Sequence, residues 1–330
     1  MTPADHLDAD RLSAPGGEPV LVVDAASWQR PTAPIQAAVI GIDRAGALSV
    51  ARVDDFDVLL TVAEDPPRPW VSVKSLEIEA AAARLADTAR GAPFAATIAA
   101  QLLRLTPRLP LAEALTAESL AYSALLGGQE FHRWRARADP APGTPAPDEP
   151  VTIERKADQL TLTLDDPKNR NAMTARMRDA LYEALANALD DPTEPAVTLQ
   201  GNGRCFSTGG ALFEFGSAVD LAEAHAVRML HSCAWALGAL RERATVRLHG
   251  ACIGSGLEIA AAAHRRIAAP DAWFQLPELS MGLIPGAGGT ATVARAIGRH
   301  RAYWMLLSGK RVDAELARRW GLVHAIEERT

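Results

Sequence analysis

The sequence predicts an α/β protein whose second half carries the chemistry and whose first half is an additional N-terminal α+β segment. Three observations lead there. Short β-rich runs (VLVVDAASW, AAVIGIDRAGALSV, FDVLLTV) precede alanine- and leucine-rich helical text at 75–135. A proline-rich stretch at 138–150 then interrupts all periodicity. Beyond it, strand, glycine turn and helix recur, the rhythm of layered parallel strands.

Taken in order, residues 1–19 are polar with Pro and Gly and read as a flexible leader. The β-rich runs follow from residue 20, and the helical text is punctuated at Gly91 and Pro93 and again at Pro107 and Pro110, which predicts about three helices up to residue 137. The segment ADPAPGTPAPDEP, 138–150, has no large apolar side chain to bury and reads as an extended linker. From 151, VTIERKADQLTLTLDD alternates like an antiparallel strand pair, TARMRDALYEALANALDD is an amphipathic helix, and PAVTLQG is a buried strand entering a glycine-bearing turn. The expected domains are therefore 20–137 and 151–330, with 1–19 and 138–150 as leader and linker.

Composition narrows the function. At 330 residues the chain can bury a full core without disulfides. Cys205, Cys233 and Cys252 are an odd number without CxxC spacing, so neither a disulfide framework nor a metal site is expected. A net charge of -6 supplies no basic field for nucleic acid or anionic membrane. The acidic start, MTPADHLDAD, lacks the positive charge and apolar run of a signal peptide, and no stretch is long and apolar enough to span a bilayer, so a cytoplasmic location is expected.

Three elements of the second half carry candidate chemistry. In GNGRCFSTGGALFEFG, 201–216, a strand runs into Gly209 and Gly210, where a ligand can approach backbone amides; a glycine pair alone is more often a plain turn. In RLHGACIGSGLEIAAAAHRRIAAP, 247–270, a strand ends in Gly254, Ser255 and Gly256 and a helix opens with Glu258 in its first turns. Free amides and the positive end of the helix dipole meet there, although an isolated Glu at that place usually just complements the dipole. In WFQLPELSMGLIPGAGGTATVARAIG, 273–298, an extended proline-flanked carboxylate, Glu278, precedes a glycine turn. That GAGGT turn lacks the lysine of a P-loop and the spacing of a dinucleotide fingerprint, and His264 reads as a helix-end residue.

Together and in this order, with DDPKNRNAM at 165–173 ahead of them and LLSGKRVDAELARRWGLV at 306–323 behind, these elements resemble the crotonase (enoyl-CoA hydratase/isomerase) superfamily over about 151–326. The resemblance implies a ββα spiral core, and a coenzyme A thioester as substrate with no separate cofactor. The backbone N–H groups of Gly210 and Ser255 would form the oxyanion hole, with Ser255 acting through its amide rather than its hydroxyl. Two preorganised amides stabilise an enolate most as its charge develops, by roughly 3 to 4 kcal/mol per donor. Glu258 and Glu278 fall on the family's two hydratase glutamates, the first to activate water and the second to exchange a proton at the α carbon. Arg170, Ala172, Thr208, Ala211 and Leu212 fall on coenzyme A contacts. Isomerases of the family commonly keep one such acid, so the pair favours hydration of a 2-enoyl-CoA, a step of fatty acid metabolism, in a homotrimer or dimer of trimers.

The departures are informative. Gly209, Gly210 and Ala211 stand where many relatives have Gly-Ala-Asp, so an Asp that orients the next helix or the substrate is missing. The sequence stops soon after GLVHAIE, where relatives continue into helices, while 76–137 has the texture of such a tail. The expectation is a tail displaced ahead of the core, by permutation or as a decayed first copy, packing on 151–330. Other readings stay open: isomerisation, hydrolysis or aryl-CoA oxygenation on the same oxyanion hole, or a non-catalytic partner subunit.

Overall fold

The structure is a computed structural model and describes residues 10–31, 35–138, 140, 143–145 and 147–329. In the first half, β1 (Val20–Asp24), β2 (Ala38–Asp43), β3 (Val58–Thr61) and β4 (Val71–Ser72) lie side by side in chain order, every neighbour parallel. Such a sheet survives only with both faces covered, and β2 and β3 are buried throughout. Their side chains alternate between two clusters. Ile40, Ile42, Val58 and Leu60 join the main core, whereas Val39 and Leu59 pack with Trp28, Phe56 and Trp70 on the opposite face.

Four α-helices follow where about three were expected: α1 (Ile78–Gly91), α2 (Pro93–Leu105), α3 (Leu111–Leu126) and α4 (Gln129–Ala138). Gly127 and Gly128 divide α3 from α4, a break that the continuous helical texture concealed. Pro93 opens α2 at a position where its missing N–H costs nothing. The next two amides, Phe94 and Ala95, donate to the Glu130 carboxylate at 2.9 and 3.0 Å.

Residues 10–19 correct the reading of a flexible leader. Leu12 is buried in the Trp28–Trp70 cluster, and its carbonyl accepts the amides of Gln36 and Ala37 at 3.2 and 2.9 Å. Leu12 and these bonds, with the Pro19 carbonyl accepting the Ala38 amide at 2.8 Å, seat the segment; residues 1–9 lie outside the described residues. In the linker, the Thr144 amide donates to the Asn169 side chain at 3.0 Å.

The second half builds two sheets from one winding. β5 (Val151–Lys156) and β6 (Gln159–Leu164) form the expected antiparallel pair. β6, β7 (Ala196–Gly201), β8 (Ala244–Leu248), β10 (Arg265–Ala268) and β13 (Ala325–Ile326) then pair in parallel. β9 (Ala251–Ile253) and β11 (Trp273–Gln275) lie parallel in a second, three-stranded sheet with β12 (Val312–Asp313). Each turn of chain thus gives one strand to the large sheet and one to the small: β8 then β9, β10 then β11. Helices α5 (Ala175–Asp190), α6 (Leu221–Leu230), α7 (Cys233–Ala239), α8 (Ser255–Ala260), α9 (Gly289–Ile297), α10 (Arg299–Ser308) and α11 (Ala314–Trp320) pack around them.

One apolar core runs through both halves. Tyr303 of α10 donates its hydroxyl to the Ala96 carbonyl of α2 at 2.9 Å, and Thr106 donates to the Thr290 carbonyl at 2.8 Å. Asp57 receives Arg104 of α2 and Arg299 of α10. Burial alone would raise its pKa, but these guanidinium groups and the Val39 amide hold the carboxyl below its ordinary value. The helices of 76–137 therefore pack on the core of their own chain.

Candidate active site

Two glycine turns meet at the centre. After β7 the chain reaches Ser207, which bridges to Cys252 of β9, then turns at Gly209, φ +85. A Cβ on Gly209 would stand 2.7 Å from the Ile253 carbonyl oxygen, so only glycine lets the first turn lie against the second. Met173 satisfies itself with the Gly209 carbonyl, at 2.7 Å, and the Ala211 amide, at 3.2 Å. The Gly210 N–H between them has no partner among the described residues. Gly254, φ +47, opens α8, and Ser255 is its first residue, so the Ser255 N–H has no intrahelical partner either. The buried Ser255 hydroxyl is likewise unpartnered among the described residues.

Both predicted glutamates converge on this second turn. A Cβ on Gly254 would come within 2.8 Å of Glu278 Oε1 and 3.9 Å of Glu258 Oε1. Glu258, on α8, is 2% exposed, and its Oε2 accepts the Ala287 and Gly289 amides at 2.7 and 3.0 Å. Glu278 starts a 3-10 turn, Glu278–Met281, closed by Gly282. It is also buried, and its Oε2 finds no partner among the described residues.

A third carboxylate enters from the N-terminal half. Glu118 of α3, 1% exposed, accepts the Gly288 and Thr290 amides at 2.6 and 2.7 Å and the Thr290 hydroxyl at 2.6 Å. Four consecutive amides at the start of α9 are thus divided in alternation, 287 and 289 to Glu258, 288 and 290 to Glu118. Burial raises the pKa of all three acids. Donated amides oppose the rise at Glu258 and Glu118, whereas Glu278 also bears the repulsion of both neighbours and is driven well above the ordinary carboxyl range. Like charges in one dry site cannot all ionise, and the protonated form is favoured most at Glu278, which has the fewest donors.

These groups border a cavity of about 770 Å³. Thr208, Gly210, Ala211, Leu212, Ser255, Glu258 and Glu278 line it. Arg170 and Ala172 stand outside the lining. Arg170 sits in a left-handed turn, φ +56, whose carbonyl accepts the Thr208 amide at 3.1 Å. Sequence reasoning passed over Asn171 between them. Fully buried, its Nδ2 donates to the carbonyls of Asn202, Cys205 and Phe206 at 2.9, 3.1 and 3.0 Å and so pins the first glycine turn. It also missed the α3 wall of Leu115, Glu118, Ser119, Tyr122 and Leu126. The signal was present: helical i, i+3, i+4 spacing puts Glu118 inside an apolar stripe.

Cys205, Cys233 and Cys252 are free and buried. Burial pushes the Cys233 thiol up to about 12.

Comparison with known proteins places this constellation. Residues 154–329 match the enoyl-CoA hydratase/isomerase family. A probable enoyl-CoA hydratase of Mycobacterium tuberculosis is 37% identical over 175 residues, 53% of this chain and 68% of that one. The 2,3-dehydroadipyl-CoA hydratase of Escherichia coli is 33% identical over 174 residues, 52% of this chain and 67% of that one. Among solved structures, an enoyl-CoA hydratase of Thermoplasma volcanium aligns with a TM-score of 0.51 at 31% identity, covering 55% of this chain and 73% of the other. With the spiral core and its paired glycine turns, these likenesses make the chain a member of the enoyl-CoA hydratase/isomerase family.

Proposed function

We propose that this protein adds water across the 2,3 double bond of an enoyl-CoA thioester, and catalyses the reverse dehydration, through an enolate. The observation that carries this is the convergence of Glu258 and Glu278 on the Gly254 turn, in one cavity with the unspent amides of Gly210 and Ser255. The thioester oxygen accepts from those two amides, which draws charge off the double bond. Glu258, held as the charged partner by two loop amides, orients a water and takes its proton as the oxygen bonds to C3. Glu278 delivers its proton to C2, and proton exchange between the neighbouring acids restores the starting state. Thr208, Ala211 and Leu212 on the cavity wall contact coenzyme A, as do Arg170 and Ala172 of the adjoining segment, where the Arg170 carbonyl accepts the Thr208 amide.

The chain acts as a homo-oligomer, a trimer or dimer of trimers, in the cytoplasm. Supporting the first are apolar side chains left outward at 230–235, Leu230 and Trp235, at 65% and 43% exposure. Relevant to the second, no helix among the described residues is long and apolar enough to cross a membrane. The reaction is tested with crotonyl-CoA by loss of the conjugated thioester absorbance and detection of 3-hydroxybutyryl-CoA. Absence of hydration with crotonyl-, hexenoyl- and octenoyl-CoA refutes it.

A further inference from the structure

Against the α3 wall of the cavity stands a charge that the hydration chemistry does not use. Arg228 of α6 lines the cavity with its guanidinium 5.0 Å from the centre of the Tyr122 ring. Its Nε donates to the Ser119 hydroxyl at 3.0 Å, and its Nη2 donates to the Ser119 carbonyl at 3.2 Å and to the Ser123 hydroxyl. All of these acceptors are neutral. Nη1 has no partner, and no carboxylate forms an ion pair with Arg228 among the described residues. Of the other acids in the lining, Glu118 is held by Gly288 and Thr290, Glu214 accepts the Ala175 amide at 2.8 Å, Asp220 accepts the Ala222 and Glu223 amides, and Glu223 forms no ion pair with Arg228. A second cation, Arg178, faces the same cavity, its own charge met by Asp179 at 2.7 Å.

Position relates this cation to the reacting carbons. The Tyr122 ring lies against Gly286, where a Cβ would meet it at 2.7 Å, and Gly286 begins the loop whose next residues hold Glu258. Arg228 is therefore separated from the glutamate loop by one aromatic ring, in a lining that also includes Leu115, Leu126 and Met229. A half-buried guanidinium with a free donor and no counter-ion costs desolvation that an entering anion would offset.

Resting on the hydration reading, we propose that Arg228 recognises a second, anionic group, a carboxylate, at the far end of the acyl chain. The substrate class is then an enoyl-CoA derived from a dicarboxylic acid. The carboxylate docks on Nη1 beside Tyr122 while the thioester end reaches the Gly210 and Ser255 amides. The other anion such a ligand brings, phosphate of coenzyme A itself, is common to every thioester and is separated from the acyl carboxylate by the test.

The test compares plain 2-enoyl-CoA thioesters of five to eight carbons with their ω-carboxylated counterparts, using wild type, Arg228→Gln and Arg228→Lys, with kcat/KM from loss of thioester absorbance. Wild type should prefer the carboxylated member at one or more lengths by about 10- to 100-fold, the range of a charge-assisted hydrogen bond. Arg228→Gln should lose that preference, and Arg228→Lys should restore part of it. In parallel, adipyl-CoA should raise the melting temperature of wild type more than hexanoyl-CoA does, and equally in Arg228→Gln. No preference in wild type at any length overturns the proposal. So does an equal loss for both members in Arg228→Gln, which would assign the charge to coenzyme A or to the fold. If no thioester is hydrated, the hydration reading fails, and the melting-temperature pair still decides the role of Arg228.

Discussion

Replacing Glu118 by alanine tests whether the N-terminal half helps to build the active site. The change removes the acceptor of two amides and one hydroxyl, all at buried residues, Gly288 and Thr290. Each buried group left unsatisfied costs about 1 to 3 kcal/mol. Water reaching the amides from the adjoining cavity, and relief from burying a carboxylate whose pKa is raised, offset part of this. The net loss should be about 2 to 4 kcal/mol. The assay is urea unfolding followed by intrinsic fluorescence: the midpoint should fall while its slope stays constant. Turnover should fall as well, since Glu118 and Glu258 hold alternate amides of one loop. Glu118→Gln, which keeps one acceptor oxygen, should lie between wild type and Glu118→Ala on both measures. If Glu118→Ala unfolds at the wild-type midpoint, the interleaved carboxylates do not hold that loop and the reasoning is wrong.

Glu258→Gln and Glu278→Gln should each lower hydratase kcat by about two orders of magnitude or more with acyl-CoA affinity nearly intact, because acid–base groups act on the transition state; near-normal turnover in both removes the two-glutamate mechanism. Stability should respond to pH at Glu278. Its folded pKa is raised above the ordinary 4.5, so its protonated form favours the fold at low pH and that advantage is lost as pH rises towards the folded value. Glu278→Gln should therefore gain melting temperature over wild type at pH 8 and little at pH 4; an equal gain at both would assign the effect to packing. Finally, a chain cut to 151–330 should be insoluble or inactive, since it loses Glu118 and uncovers the core shared with α2 and α3. A soluble, active fragment would make 1–137 an independent domain.

Much of the site was legible because its parts are local. A strand that must turn sharply and present free amides needs glycine at fixed places, hence Gly209 and Gly254 at positive φ. Glu258 and Glu278 are singled out by the resemblance of the whole constellation, since neither residue is required by its own stretch of backbone. The alternation at 151–164 likewise foretold the β5–β6 pair. Local texture was a weaker guide at the ends of elements, where two glycines split α3 from α4 and Leu12 with a few backbone bonds seated the expected leader.

The sequence by itself determined the family, through the order of its motifs, and the two glycine turns, which the backbone requires within a few residues of itself; the two glutamates came with the resemblance. Only the tertiary structure decided what surrounds them. Glu118 meets its amide partners 170 and 172 residues away, and Arg228 meets Ser119 at a separation of 109. The parallel order of β1 to β4 was decided at the same level. No local spacing encodes such pairings; they arise where the first half covers the apolar surface of the second, and burial then turns an ordinary helical glutamate and arginine into parts of a site.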